Sequence, residues 1–109
     1  MEYCLDCVIK HLGDAKINQE EALMGYPEHA LNVIGSLSQA SIECYGASPE
    51  LANEIRQHRL LIMKDIGYLP PYYELYNKVK RLIEEKGCGN CKEAQNAFKE
   101  KVKIAKSLQ

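Results

Sequence analysis

The chain has 109 residues, 46% of them hydrophobic and 27% charged, with a net charge of −1, which fits one soluble globular domain and excludes a disordered or collagen-like polymer. Apolar runs such as Leu60-Leu61-Ile62-Met63 fall far short of the roughly 18 residues that cross a bilayer, so no transmembrane helix is expected. A chain this short buries only about 60–65% of its unfolded surface, so a cross-link or bound ion has a physical motive.

Five helical segments are predicted, cut apart by glycine and proline. The first covers about residues 5–24, with Leu5, Val8, Ile9, Leu12, Ala15, Ala22 and Leu23 at helical spacing, and stops at Gly25-Tyr26-Pro27. The second starts at Pro27, a residue suited to a first helical turn, and runs to about Cys44 through Ala30, Leu31, Ile34, Leu37, Ser41 and Ile42. Its centre holds Gly35, Ser36, Ser38, Ala40 and Ser41, small residues that let another helix approach closely.

The third segment begins at Ser48-Pro49-Glu50, a hydroxyl cap followed by proline and an acid, and is expected to reach Ile66 with Leu51, Ile55, His58 and Ile62 on its core stripe. Gly67-Tyr68-Leu69-Pro70-Pro71 ends it, because proline has no amide donor and disfavours a helical residue before it. The fourth covers 72–86, with Tyr72, Leu75, Tyr76, Val79, Leu82 and Ile83 on one face and Gly87 closing it. The fifth starts near Asn90, with Glu93 in capping-box relation, and continues through Ala94, Ala97, Phe98, Val102, Ala105 and Leu108. With no useful strand alternation, the expected fold is an all-α compact bundle of about five helices in one domain, 1–109.

Charge divides the chain. Residues 1–77 carry five Lys or Arg and eleven Asp or Glu, a net −6, whereas 78–109 carry nine and four, a net +5. Lys92, Lys99, Lys101, Lys103 and Lys106 supply the basic stripe that a nucleic-acid surface needs, but without aromatic interleaving, so a basic helix beside acidic ones is the simpler reading.

Four of the five cysteines form two C-x-x-C pairs, Cys4-Leu5-Asp6-Cys7 and Cys88-Gly89-Asn90-Cys91. Two such knuckles can give one tetrahedral ion four thiolates, so Cys4, Cys7, Cys88 and Cys91 are the candidate ligands of a Zn2+ that joins the N- and C-terminal regions. Gly89 permits the tight turn that aims two sulfurs inward, and the helix expected after it favours thiolate. His11, at i+7 from Cys4, is a further candidate ligand, placed on the same face if the helix begins near residue 4. Iron or an iron–sulfur cluster takes the same ligands.

A thiol-disulfide reading competes for the same residues. Cys88-Gly89-Asn90-Cys91 is similar to the C-G-P-C motif of thioredoxins, departing from it at Asn90, and the resemblance implies dithiol redox chemistry at Cys88 and Cys91. Acids where a secretory leader would be basic, with cysteines in metal-ligand spacing, point to a cytoplasmic protein. Cys44 and His58 read as core residues, and His29 as a surface group beside an acid. Tyr68 and Tyr73, flanking Pro70-Pro71, have the composition of a protein-binding surface, with Tyr72 and Tyr76 on the core stripe.

No phosphate-binding loop, nucleophile elbow or paired metalloprotease histidines occurs. The sequence therefore points to a small non-catalytic helical protein stabilised by zinc and acting as a protein-interaction or assembly module, through another protein or copies of itself.

Overall fold

The structure, a computed structural model, describes residues 2–91. Every regular element among them is helical: α1 (Leu5–Leu23), α2 (His29–Tyr45), α3 (Pro49–Lys64) and α4 (Tyr72–Lys86). The expected fifth helix lies outside the described residues, so four helices stand where the sequence predicted about five.

Helix α1 packs on both α2 and α4, and α2 packs on α3, giving the spatial order α4–α1–α2–α3. Leu5, Val8, Leu12 and Ala15 of α1 meet Val33, Leu37, Ala40 and Cys44 of α2 and Leu75 and Val79 of α4 in one core that reaches Leu51, Ala52, Ile55 and Ile62 of α3. These positions recur at three- and four-residue intervals, so each helix lays one stripe onto its neighbours. The small residues of α2 serve that packing at Ala40 and Ser41, both buried, where Ser41 donates to the Ala52 carbonyl at 3.0 Å and accepts from Arg56 Nε at 2.9 Å. Gly35 is exposed and takes no part.

Two boundaries differ from the sequence reading. Helix α2 starts at His29 because Pro27 lies in a turn, where the Tyr26 carbonyl accepts from His29 N at 3.0 Å and the Pro27 carbonyl from Ala30 N at 3.1 Å. Helix α3 stops at Lys64, since Asp65 is extended and its Oδ1 accepts from Gly67 N at 2.9 Å, a local bond that competes with a further helical turn. Cys4 does not belong to α1: it is the extended N-cap, at φ −140° and ψ 101°. The start of α3 is as expected, with Ser48 Oγ accepting from Leu51 N at 3.1 Å and Pro49 in the first turn.

Several residues expected on core stripes face out. Leu31 is 76% exposed, Ile42 54% and Leu23 50%, because α2 and α1 bury faces narrower than their apolar content.

Candidate metal centre

The two C-x-x-C pairs meet where α1 begins and α4 has just ended. Gly87 closes α4 with a positive φ of 78°, its amide donating to the Ile83 carbonyl, and releases the chain toward the start of α1. There Cys4 and Gly89 form an antiparallel bridge, framed by Leu5 N donating to the Cys88 carbonyl at 2.9 Å and Asn90 N donating to the Tyr3 carbonyl at 2.7 Å. Gly89 sits at φ +89°, and an added Cβ would lie 2.6 Å from the Tyr3 ring and overlap the Tyr3 carbonyl oxygen, so the knuckle tolerates only glycine. Tyr3 Oη adds a bond to the Lys86 carbonyl at 3.1 Å.

This pairing brings the sulfurs together. Cys4 and Cys91 are joined as a disulfide, 87 residues apart in sequence and 5.1 Å apart at Cα. Cys7 Sγ lies 2.8 Å from Cys4 Sγ, and Cys88 Sγ 3.2 Å from Cys91 Sγ. The sulfurs of Cys4, Cys88 and Cys91 all lie within 4.8 Å of one another, close enough for one ion to hold them. A tetrahedral thiolate site with metal–sulfur bonds of about 2.3 Å spaces its sulfurs by about 3.8 Å, the same scale.

Backbone amides also point at this sulfur set. Asp6 N donates to Cys88 Sγ at 3.2 Å and Cys7 N to Cys4 Sγ at 3.4 Å, so the opening turn of α1 directs two of its otherwise unpaired donors at sulfur. Burial, and then the neighbouring Glu43 carboxylate, raises the Cys7 thiol pKa above its ordinary value, with Lys10 working against them and Asp6 with them. Burial likewise leads the rise at Cys88. Cys44, sequestered under the α2–α3 corner, is pushed to about 11 by burial, as expected of a core thiol.

The histidines separate in the same way. His11, half-buried on α1, is not among the residues that form the sulfur cluster. His29 Nδ1 lies 2.9 Å from both Asn18 Oδ1 and Glu21 Oε2, a polar group on the surface of α1 and α2. His58 stacks on Tyr68, with its Nδ1 2.7 Å from the Tyr68 hydroxyl, and burial lowers its pKa.

The corner between α3 and α4 holds a residue that the sequence did not mark. Gln19, 1% exposed, donates from Nε2 to the Ile66 carbonyl at 3.0 Å and to the Tyr68 carbonyl, while its Oε1 accepts from Tyr72 Oη at 2.8 Å. Its position in the register of Leu5, Val8, Leu12 and Ala15 was the available signal. Tyr68 is therefore half-buried and engaged, whereas Tyr73 is 77% exposed.

Tyr73 lines a cleft of about 820 Å³ between α1 and α4. Ile9, Leu12, Gly13 and Leu23 form its α1 wall and Leu69, Pro70, Tyr73 and Tyr76 the other, with Lys16, Glu20 and Glu74 among its polar residues. Tyr76, expected on the core stripe, opens onto this cleft.

No family model, curated protein or solved structure matches the chain. No described helix is long and apolar enough to cross a membrane.

Proposed function

We propose that Cys4, Cys7, Cys88 and Cys91 bind one structural Zn2+ that clasps the two ends of a small non-catalytic helical protein, and that the protein works as an interaction module. The observation that carries the reading is the convergence of the Cys4, Cys88 and Cys91 sulfurs within 4.8 Å of one another, with Cys7 outside that trio but 2.8 Å from Cys4, supported by the backbone bridge that aligns the two knuckles and by amides aimed at two of the sulfurs. A disulfide between Cys4 and Cys91 uses two sulfurs, while a tetrahedral ion gives all four a role. Zinc takes them as thiolates, so metal and disulfide are alternative, mutually exclusive states of Cys4 and Cys91.

The interaction half of the proposal draws on the cleft beside Tyr73, whose exposed aromatic and aliphatic side chains suit an amphipathic helix from a protein partner. Tyr68 contributes by holding the Pro70-Pro71 corner that shapes the cleft.

A second reading, thiol-disulfide exchange, draws on the flanking thiols. Attack of a Cys88 thiolate on Cys91 Sγ would form a Cys88–Cys91 bond and release Cys4 as thiolate, conserving electrons. It ranks second because it leaves Cys7 without a task.

The test is elemental analysis with a visible spectrum on protein purified under reducing conditions without a metal-binding tag. About one zinc per chain is the expected result. Iron with visible absorbance would replace zinc by an electron-transfer centre, and a folded, metal-free protein under those conditions would overturn the clasp.

A further inference from the structure

We infer that the clasp discharges its zinc on oxidation without opening: hydrogen peroxide joins Cys4 to Cys91, the ion leaves, and the new bond ties the same two ends that the ion held. The inference rests on the zinc reading of the four cysteines and names what regulates that site.

The oxidised end state is the arrangement the structure holds. The Cys4–Cys91 bond is present together with all four helices and the Cys4–Gly89 bridge, whose flanking bonds run from Leu5 N to the Cys88 carbonyl at 2.9 Å and from Asn90 N to the Tyr3 carbonyl at 2.7 Å. A third bond, from Cys4 N to the Glu43 carbonyl at 3.1 Å, anchors Cys4 to the last turns of α2. None of these backbone bonds uses sulfur, so the knuckles stay aligned whether their sulfurs meet an ion or each other.

The bond across the knuckles has rivals within them. Cys7 Sγ lies 2.8 Å from Cys4 Sγ and Cys88 Sγ 3.2 Å from Cys91 Sγ, so a disulfide inside either C-x-x-C pair competes for the same electrons. Three observations favour the bond across. The bridge sets Cys4 and Cys91 5.1 Å apart at Cα, inside the range of about 4.4–6.8 Å that a disulfide spans without backbone movement. Cys4 and Cys91 are the buried pair, 3% and 6% exposed, whereas Cys7 and Cys88 are half-buried, so the bond across is shielded from solvent thiols that would exchange it. It also closes a separation of 87 residues rather than 3, so it opposes parting of the two ends where a bond within a pair does not.

The step balances. The Cys4 and Cys91 thiolates give two electrons to hydrogen peroxide, the O–O bond breaks as the S–S bond forms, and with two protons from solvent the oxidant leaves as two waters. The ion, left with only Cys7 and Cys88 of its four thiolates, departs as Zn2+, and those two sulfurs each take a proton from solvent. A dithiol reverses the change, becoming a disulfide itself as Cys4 and Cys91 return to thiols. In a zinc finger, loss of metal is loss of fold; here zinc is released from a chain that stays folded.

The experiment takes the full-length chain, reduced and loaded with zinc, removes free metal and reductant, and adds one equivalent of hydrogen peroxide beside a chromogenic zinc chelator, against a sample without peroxide. Zinc content before oxidation decides the clasp by itself: a reduced chain that holds none overturns the clasp and this inference with it. From the loaded chain, about one zinc should reach the chelator only when peroxide is present, with helical circular dichroism retained. Trypsin leaves Cys4 and Cys7 on peptide 1–10 and Cys88 and Cys91 on peptide 87–92, so after free thiols are alkylated the bond across joins the two peptides, while bonds within each pair leave them separate. The joined product, alkylated at Cys7 and Cys88, is expected, and oxidation in urea should lower its share about tenfold or more, because separated ends favour the short loops. Zinc kept against peroxide, peptides that stay separate, or a helical signal lost with the zinc would each overturn the inference and leave the clasp standing. An equal share of joined product in urea would overturn it too, since the fold would then not be choosing the pair.

Discussion

Helix α1 is tied to α4 twice, and the two ties are chemically opposite. At one end, the start of α1 meets the chain leaving α4 through sulfur and a short backbone bridge. At the other, Gln19 of α1 holds the entrance to α4 through the carbonyls of Ile66 and Tyr68 and the hydroxyl of Tyr72. A buried amide keeps its bonds whatever the redox state or metal supply, whereas thiolates respond to both. The fold therefore has one constitutive end and one conditional end.

The largest effect should come from breaking the conditional end. Cys4→Ser and Cys88→Ser should each lower zinc content and remove on the order of 4 kcal/mol or more of stability in reducing, zinc-containing buffer, because binding energy at a structural site is folding energy. Urea melts with parallel metal analysis would read both. Cys88→Ser leaves the Cys4–Cys91 bond available, so under oxidising conditions its loss should shrink, which would separate a metal effect from a packing effect. Cys44→Ser, in the core and away from the cluster, should leave zinc content unchanged.

Gly89→Ala attacks the same end through the backbone. With φ at +89° and the Tyr3 carbonyl in the way, alanine must either strain or give up the bridge, at a cost of about 3 kcal/mol. Zinc affinity should fall with stability, although every ligand remains. Unchanged affinity would show that the bridge is not what aligns the two knuckles.

Gln19→Leu tests the constitutive end. It leaves two carbonyls and the Tyr72 hydroxyl without their shared partner and should cost about 2 kcal/mol with zinc content intact. Loss of zinc in this variant would mean that the two ends are coupled rather than independent.

These two ends were unequally legible in the sequence. Paired cysteines stand out because few other arrangements explain their spacing, and the glycine between Cys88 and Cys91 signalled the turn that the structure contains. What the spacing hid was that Cys4 caps α1 from an extended conformation: its pairing partner is 85 residues away at Gly89, and helical periodicity carries no information about a long-range bridge. Gln19 was missed because a glutamine on an apolar stripe looks like a pattern break until three polar partners are seen converging on it. Helix ends were clearest where side-chain chemistry dictates them, as at Ser48-Pro49 and Gly87. They were least clear at Pro27 and Asp65, where a local turn competes with the helix on nearly equal terms.

The smallest expected effect lies at the constitutive end, where His58 stacks on Tyr68. Burial depresses the folded-state pKa of His58 below 6.5, with Glu54 opposing and Lys78 reinforcing that shift. As pH falls, the unfolded chain therefore takes up its proton first, and the stability contributed by neutral His58 is present above the unfolded value and lost as pH drops through about 6.5 toward the folded one. Comparing His58→Gln with the parent chain at each pH cancels the acid sensitivity of the thiolates, which both proteins share. The stability gap between them should narrow from pH 7.5 to pH 5.5; a constant gap would mean that His58 titrates alike in the folded and unfolded chains, and that the constitutive end is indifferent to protons as well as to metal.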